Sequence, residues 1–358
     1  MSKILSVATE EPSSCVSATE TKEFLASLLP PTEAQRFQRL VETSRIRTRH
    51  TLMSLRELQD LKTFEARNST YREQAIALGE RVGVRALRCA SIGPRDIDII
   101  LVASSTGHMV PTLDQHLASR LGLRTDVMSV PLTGLGCAGG IRAMRLAADL
   151  LSKNGTYALV VSADLCSPWL QICEPSPEDV VSNIFFGDGT GAVVIGRGQS
   201  VKAPEIVAHH VELWPGSLGV RGARLTATGF RHFCSPALPR LLRRNLPRTV
   251  GHFLSQQGLS LADLRFFVVN PSDHRVLETV QSTLDLSPGA LQPAWEAWEQ
   301  HGNTLSAGPL YVLRALETST PPVDGDLGLV LVFGPGIICE MLLVRWRGRL
   351  RGGDRSTD

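Results

Sequence analysis

Residues 130–140 read Val130-Pro131-Leu132-Thr133-Gly134-Leu135-Gly136-Cys137-Ala138-Gly139-Gly140, one cysteine set among four glycines. Upstream, Asp126–Leu132 has the pattern of a short buried strand. Downstream, Ile141, Met144, Leu146, Ala147 and Leu150 recur on a helical period over Ile141–Leu151. The cysteine thus falls at a strand-to-helix turn. Unpaired backbone N–H groups and the positive end of a helix dipole meet there, and both favour thiolate over thiol. Flanking glycines remove Cβ atoms and let a substrate carbonyl approach closely. The pattern is that of a nucleophile elbow carrying sulfur. The same residues also suit a buried structural cysteine in a glycine-rich turn.

Working outward, short apolar runs at Ile97–Ala103, Tyr157–Ala163 and Gly191–Ile195 read as strands buried on both faces. Arg265–Val269, Gly328–Phe333 and Glu340–Trp346 repeat the pattern after a less regular middle. Helical patterns dominate the first 90 residues, most strongly at Thr32–Thr43 and Tyr71–Ala90. The two halves run in parallel. Ile97 lies 40 residues before Cys137, and Arg265 lies 38 before Asn303. Cys137 follows Gly136, Asn303 follows Gly302, and each opens a helix, the second being Ser306–Leu316. This predicts one fused α/β unit of duplicated βαβ halves related by a pseudo-twofold axis, with the helix starts converging. Residues 1–220 form the half carrying the cysteine, and residues 221–358 the half carrying the asparagines.

Composition narrows the function classes. The chain has 358 residues, 43% of them hydrophobic, and a formal charge of +2, which argues against bulk nucleic-acid binding. The basic run Arg345–Arg355 reads as a solvated tail. Seven scattered cysteines (Cys15, Cys89, Cys137, Cys166, Cys173, Cys234 and Cys339) show no CxxC pairing and no metal-ligand spacing. A reducing cytoplasm is therefore expected, and no metal or bound organic cofactor. No apolar run reaches the roughly 20 residues that span a membrane, and the N-terminus lacks a secretory pattern.

Five motifs in order then carry a resemblance over about residues 44–346. They are GLGCAGG around Cys137, Ser162-Ala163-Asp164-Leu165-Cys166-Ser167, Phe185-Phe186-Gly187-Asp188-Gly189-Thr190-Gly191-Ala192, His301-Gly302-Asn303, and Val332-Phe333-Gly334-Pro335-Gly336. The chain resembles the type III polyketide synthases, the chalcone/stilbene synthase-like branch of the thiolase-fold condensing enzymes, and most of all its bacterial members. The resemblance implies a fold of αβαβα layers. It also implies an enzyme that loads an acyl group from a coenzyme A thioester onto Cys137. Malonyl-CoA then extends that group by decarboxylative condensation to a short polyketide of pyrone or resorcinol type. Asn303 would donate to the thioester oxygen, although a plain helix cap also explains it. Phe186 would gate the tunnel into the cavity, and Gly336 would line it. Arg47 and Arg49, in Arg45-Ile46-Arg47-Thr48-Arg49, would meet CoA phosphates. Val110 would reach into a neighbouring subunit, which implies a homodimer.

The pattern breaks where the family places a catalytic histidine. The aligned residue is Asn270, in Val269-Asn270-Pro271-Ser272-Asp273-His274. Asparagine can donate from its NH₂ but cannot take the thiol proton or pair with a thiolate by full charge. Slower loading at neutral pH and a more alkaline optimum are expected. Three accounts stay open. Asn270 and Asn303 form an oxyanion hole of two amides, or His274 swings into the vacant position, or condensation is lost. In the last case the chain is a non-elongating acyltransferase, a ketosynthase III-like enzyme or a noncatalytic partner subunit. Trp169 aligns near a small position lining the elongation pocket, and would fill it or pack outward. His232 falls near a second gatekeeping aromatic, and a one-residue gap would put Phe233 there instead.

Overall fold

The computed structural model describes residues 1–153, 155–172, 175–198, 202–348 and 350. Cys173 and the end of the Arg345–Arg355 run lie outside them. The apolar runs become strands: β1 (Ser2–Glu10), β2 (Ser14–Ser17), β3 (Thr48–Thr51), β4 (Ile99–Ala103), β5 (Met128–Leu132), β6 (Tyr157–Asp164) and β7 (Gly189–Arg197) come from the first half. From the second come β8 (Glu205–Leu213), β9 (Arg221–Thr226), β10 (Gly229–Cys234), β11 (Leu264–Val269), β12 (Leu327–Gly334) and β13 (Ile338–Arg345). Nine of them form one mixed sheet in the order β11-β12-β13-β8-β1-β7-β6-β4-β5, while β9–β10 form a separate hairpin and β2–β3 a separate antiparallel pair.

The duplication is visible in that order. In the first half β4 is parallel to β6, β6 antiparallel to β7, and β7 antiparallel to β1. In the second, β11 is parallel to β12, β12 antiparallel to β13, and β13 antiparallel to β8. The two sets join where β1 meets β8 at Ser2↔Ile206 and Lys3↔Glu205. β4, β6 and β12 are buried almost throughout, as their unbroken apolar runs demand.

Helices cover the sheet in layers. Helix Phe64–Ala90 opens on its Thr63 cap and packs on β1, β6 and β7 from outside. Helix Leu238–Ser255 covers the second half, where the Trp214 indole donates to Thr249 Oγ1 at 3.1 Å. Between the two half-sheets lie helices Gly139–Lys153 and Gly308–Ser319, which touch strands of both halves and each other. No helix among the described residues is long and apolar enough to cross a membrane.

Two local expectations need correction. The strand before Cys137 is not buried: Met128 is 47% exposed. β5 is the last strand of the sheet, so only β4 covers one of its edges. Cys137 also does not begin the α-helix. It sits in a 3₁₀ turn, Gly136–Ala138, that feeds the helix starting at Gly139.

Candidate active site

The approach of the two inner helices creates the site. Gly136 has φ +49° and lies so close to Pro335 that a Cβ would stand 3.0 Å from its ring. A Cβ on Gly140 would lie 2.3 Å from the Ser306 carbonyl oxygen, and one on Gly308 would lie 2.1 Å from Asn270 Oδ1. Glycine at Gly140 thus lets the halves meet, and glycine at Gly308 makes room for the Asn270 side chain within the second half. Asp164, at the end of β6, ties them together. Its buried carboxylate accepts from Ser105 N at 2.6 Å and Thr106 Oγ1 at 3.2 Å in one half, and from Ser306 N at 3.0 Å in the other.

Cys137 is 2% exposed. Its thiol donates to Asn303 Oδ1 at 3.7 Å. That oxygen also accepts from Leu305 N at 3.0 Å, and Asn303 Nδ2 donates to the Ser272 carbonyl at 3.2 Å, leaving its second N–H for a ligand. The Asn303 backbone is locked to the Phe185–Gly187 segment by Asn303 N→Phe185 O at 2.7 Å and Gly187 N→Asn303 O at 3.1 Å. Phe186 and Asn303 are therefore set by one another.

Asn270 leaves the end of β11, where its N–H donates to Leu331 O at 3.1 Å. Its side chain is buried, with neither amide atom in a directed hydrogen bond, yet it lies near enough to Cys137 to favour the thiolate. A buried amide without partners has a desolvation cost that a ligand oxygen would relieve. His274 does not reach the sulfur. It packs edge-on against Phe185 at 5.7 Å and near Trp298 at 6.4 Å, with Nδ1 3.3 Å from Asp273 Oδ1. It heads a new helix, His274–Thr283, whose cap Asp273 fixes the direction.

One functional candidate was not legible from the sequence. Arg221, the first residue of β9, places Nη2 3.8 Å from Cys137 Sγ and Nη1 2.9 Å from Ser272 Oγ. Burial pushes the Cys137 thiol up, Arg221 draws it down, Asp164 adds to the rise, and the two asparagines favour the thiolate. The net direction is up. No motif marks Arg221. It lies in the irregular middle of the chain, and only the hairpin brings it over the cysteine.

Cys137, Leu305, Phe230, Phe333, Pro335 and Gly336 are among the residues around a cavity of about 410 Å³. A second cavity of about 330 Å³ leads outward past Asn303 to exposed Arg36 and Arg275. Phe186, Arg221 and His232 border both. The Phe186 and His232 rings lie 4.4 Å apart, and Phe233 also borders both cavities. Burial and the nearby Arg221 push the His232 imidazole down to about 4, so it is neutral at pH 7.

Three expected contacts are not made. Arg49 is 1% exposed and donates to the Phe186 carbonyl at 3.0 Å, so it cannot meet a CoA phosphate. Strand alternation in β3 turns Arg49 and Thr51 inward while Thr48 and His50 stay partly exposed. Arg47 is on the surface, paired with Glu299 at 3.1 Å, and lines a groove with Lys22 and Arg45 rather than either cavity at the cysteine. Trp169 does not line the cavity. Its indole donates to the Thr106 carbonyl, and its ring packs between Phe64 at 5.4 Å and Phe230 at 5.1 Å. It supports Phe230, which does face the cavity. Val110 is 81% exposed on its loop.

Comparisons with known proteins agree with this fold. The sequence pattern of the N-terminal domain of chalcone and stilbene synthases matches residues 1–199, and that of their C-terminal domain matches residues 205–347. A 1,3,6,8-tetrahydroxynaphthalene synthase of Streptomyces peucetius subsp. caesius is 33% identical over 335 residues, covering 92% of this chain and 89% of the relative. Type III polyketide synthase 21 of Oryza sativa subsp. japonica is 31% identical over 333 residues, covering 88% and 85%. Among solved structures, 1,3,6,8-tetrahydroxynaphthalene synthase from Streptomyces coelicolor A3(2), a bacterial type III polyketide synthase, superposes with a TM-score of 0.91. It is 28% identical, covering 97% of this chain and 99% of that one.

Proposed function

Since the chain belongs to the chalcone and stilbene synthase family, we propose that it is a type III polyketide synthase working through Cys137. The observation that carries this reading is the convergence of Cys137 and Asn303, one from each half, on two adjoining cavities that share Phe186, Arg221 and His232. In loading, the Cys137 thiolate attacks the carbonyl carbon of an acyl-CoA. A new S–C bond forms, the bond to CoA sulfur breaks, and CoA leaves as a thiolate. Malonyl-CoA then loses CO₂, and its electron pair moves into the thioester as an enolate. The free Asn303 N–H and the unpaired Asn270 amide supply donors for that oxygen, and one such donor is worth about 3–4 kcal/mol in comparable sites. The enolate carbon attacks the acyl group, a C–C bond forms, and the Cys137 thiolate is released. No cofactor beyond the CoA thioesters enters this scheme.

The test is intact-protein mass spectrometry with a panel of acyl-CoAs, then malonyl-CoA, alongside Cys137→Ala. An acyl adduct absent from the alanine variant and chased into a ketide product supports a synthase. An adduct that forms but never extends supports the non-elongating acyltransferase, the reading favoured by the loss of an ionisable group at position 270. No adduct sinks both.

Arg36 and Arg275 replace Arg49 as the cations proposed to meet CoA phosphates, because they stand at the exposed end of the cavity that leads to Cys137. Arg36→Glu together with Arg275→Glu is expected to raise the KM for acyl-CoA about tenfold with kcat little changed. Equal KM values would remove the assignment. The exposed Val110 loop is the proposed contact of a homodimer, to be checked by light scattering on the chain and on Val110→Asp.

A further inference from the structure

Arg221 holds a place in the site that neither the motifs nor the family assignment accounts for. At neutral pH its guanidinium is the charged cation against Cys137. Asn270 has no charge to offer, His232 is neutral with its imidazole pushed down to about 4, and His274 is turned into an aromatic pocket. Arg221 is also built in. Its side chain donates to Ser272 Oγ at 2.9 Å, and its backbone carbonyl accepts from Gly336 N at 2.8 Å. Cys234 faces it across the β9–β10 pair. The Gly336 carbonyl accepts in turn from Ser217 Oγ at 2.5 Å. The cation is thereby fixed from the Asn270 loop on one side and the Gly334–Gly336 turn on the other.

We propose that Arg221 is the fixed counter-cation of the Cys137 thiolate, a catalytic residue that supplies by permanent charge the ion pairing that no imidazole supplies in this site. It rests on Cys137 as the nucleophile, but not on which product is made. A guanidinium keeps its proton throughout. The Cys137 proton therefore passes to water or hydroxide, the sulfur attacks the thioester carbonyl, and the departing CoA thiolate takes its proton from water. Arg221 stabilises charge at sulfur in both the free and the deacylating enzyme and transfers no proton.

The groups facing the sulfur come from every element around it. They are Arg221 on β9, Asp164 at the end of β6, Asn270 after β11, Asn303 before the second inner helix, and the Cys166 thiol. Arg221 itself faces Cys137, Cys234 and Asp273, and beside it stands His232. Arg221 is the cation of this set that opposes burial and Asp164.

The experiment is the pH dependence of Cys137 alkylation by iodoacetamide without substrate, read at that residue by mass spectrometry. Wild type is expected to show one rise, centred above the ordinary thiol range, with no lower limb between about pH 5 and 7. Arg221→Gln should move the midpoint up by about one to two units, slowing alkylation about ten- to a hundredfold at a fixed pH below it. Arg221→Lys should recover most of that shift. An unshifted midpoint in the glutamine variant, or a lysine variant no better than glutamine, overturns the proposal. Circular dichroism and melting curves check folding. Should the glutamine variant not fold, the lysine variant and the wild-type profile still decide, because a lower limb in the wild type overturns it alone. A chain whose alkylation depends on Arg221 but that never takes an acyl group would sink the polyketide reading and leave this one standing.

Discussion

The two halves share a strand order and a glycine-led helix start, yet they reach it differently. In the first, an edge strand, β5, runs straight into the turn that carries Cys137. In the second, no strand among the described residues pairs with the outer edge of β11. Helices His274–Thr283 and Gln292–His301 lead to Asn303 instead. The scaffold is symmetric and the chemistry is not. Duplication brings two helix starts to one point, and the differing approaches decide that one presents a nucleophile and the other an amide. The largest expected effect follows from that division. Cys137→Ala should abolish acyl-enzyme formation altogether. Asn303→Ala should leave an adduct that forms but extends about 10²–10³-fold more slowly, as when one oxyanion donor is removed. Equal loss of loading in both variants would mean that Asn303 acts by holding the cysteine rather than the substrate oxygen.

The paired glycines sharpen the comparison. An added Cβ at Gly140 meets the Ser306 backbone carbonyl at 2.3 Å, which cannot move without shifting the second helix start. An added Cβ at Gly308 meets the Asn270 side chain at 2.1 Å. Gly140→Ala should therefore lower stability by about 1–3 kcal/mol, as overpacking does. Gly308→Ala should displace the Asn270 amide, costing activity more than stability. Urea unfolding and the rate of extension, measured on both variants, separate the two. If the costs run the other way, Asn270 is held more rigidly than its missing hydrogen bonds imply.

Much of this was legible because the first half and its repeat are written in local patterns. Unbroken apolar runs marked β4, β6 and β12, while GLGCAGG and His301-Gly302-Asn303 marked the two turns but not the helix starts, which a 3₁₀ turn delays to Gly139 and Gly308. What stayed hidden depends on facing direction or on distant chain. Arg47 and Arg49 looked alike in sequence, but the pleat of β3 buries one, and the other pairs with Glu299 outside the cavity. Trp169 lies near the pocket in sequence and behind Phe230 in space. Arg221 lies 84 residues from Cys137 and reaches it only through the hairpin and Ser272. The replacement at Asn270 was plain in the sequence. What stands beside it was not.

Asp164 and Asp188, two carboxylates at 0% exposure, repeat the contrast between joining the halves and serving one of them. Asp164 binds across the halves through Ser105, Thr106 and Ser306, whereas Asp188 binds Leu52 N and Ser167 N, both at 2.7 Å, within the first half. Burial pushes both up, and Asp188 up to about 6 despite these donors. The folded chain therefore holds the Asp188 proton at a pH where the unfolded chain, near 3.9, has released it. The folded state binds more protons in that window, so this group's contribution to stability falls as pH rises from about 4 to 6 and is level above. A shift of about two units corresponds to roughly 3 kcal/mol for so buried a group. Asp188→Asn should be less stable at every pH, because one amide oxygen cannot serve all the donors and its NH₂ faces one of them. The stability difference between wild type and Asp188→Asn should nevertheless shrink as pH rises from 4 to 7, read by urea unfolding at matched ionic strength. Parallel curves would mean that Asp188 is ionised throughout, and that the backbone N–H groups around it outweigh its burial.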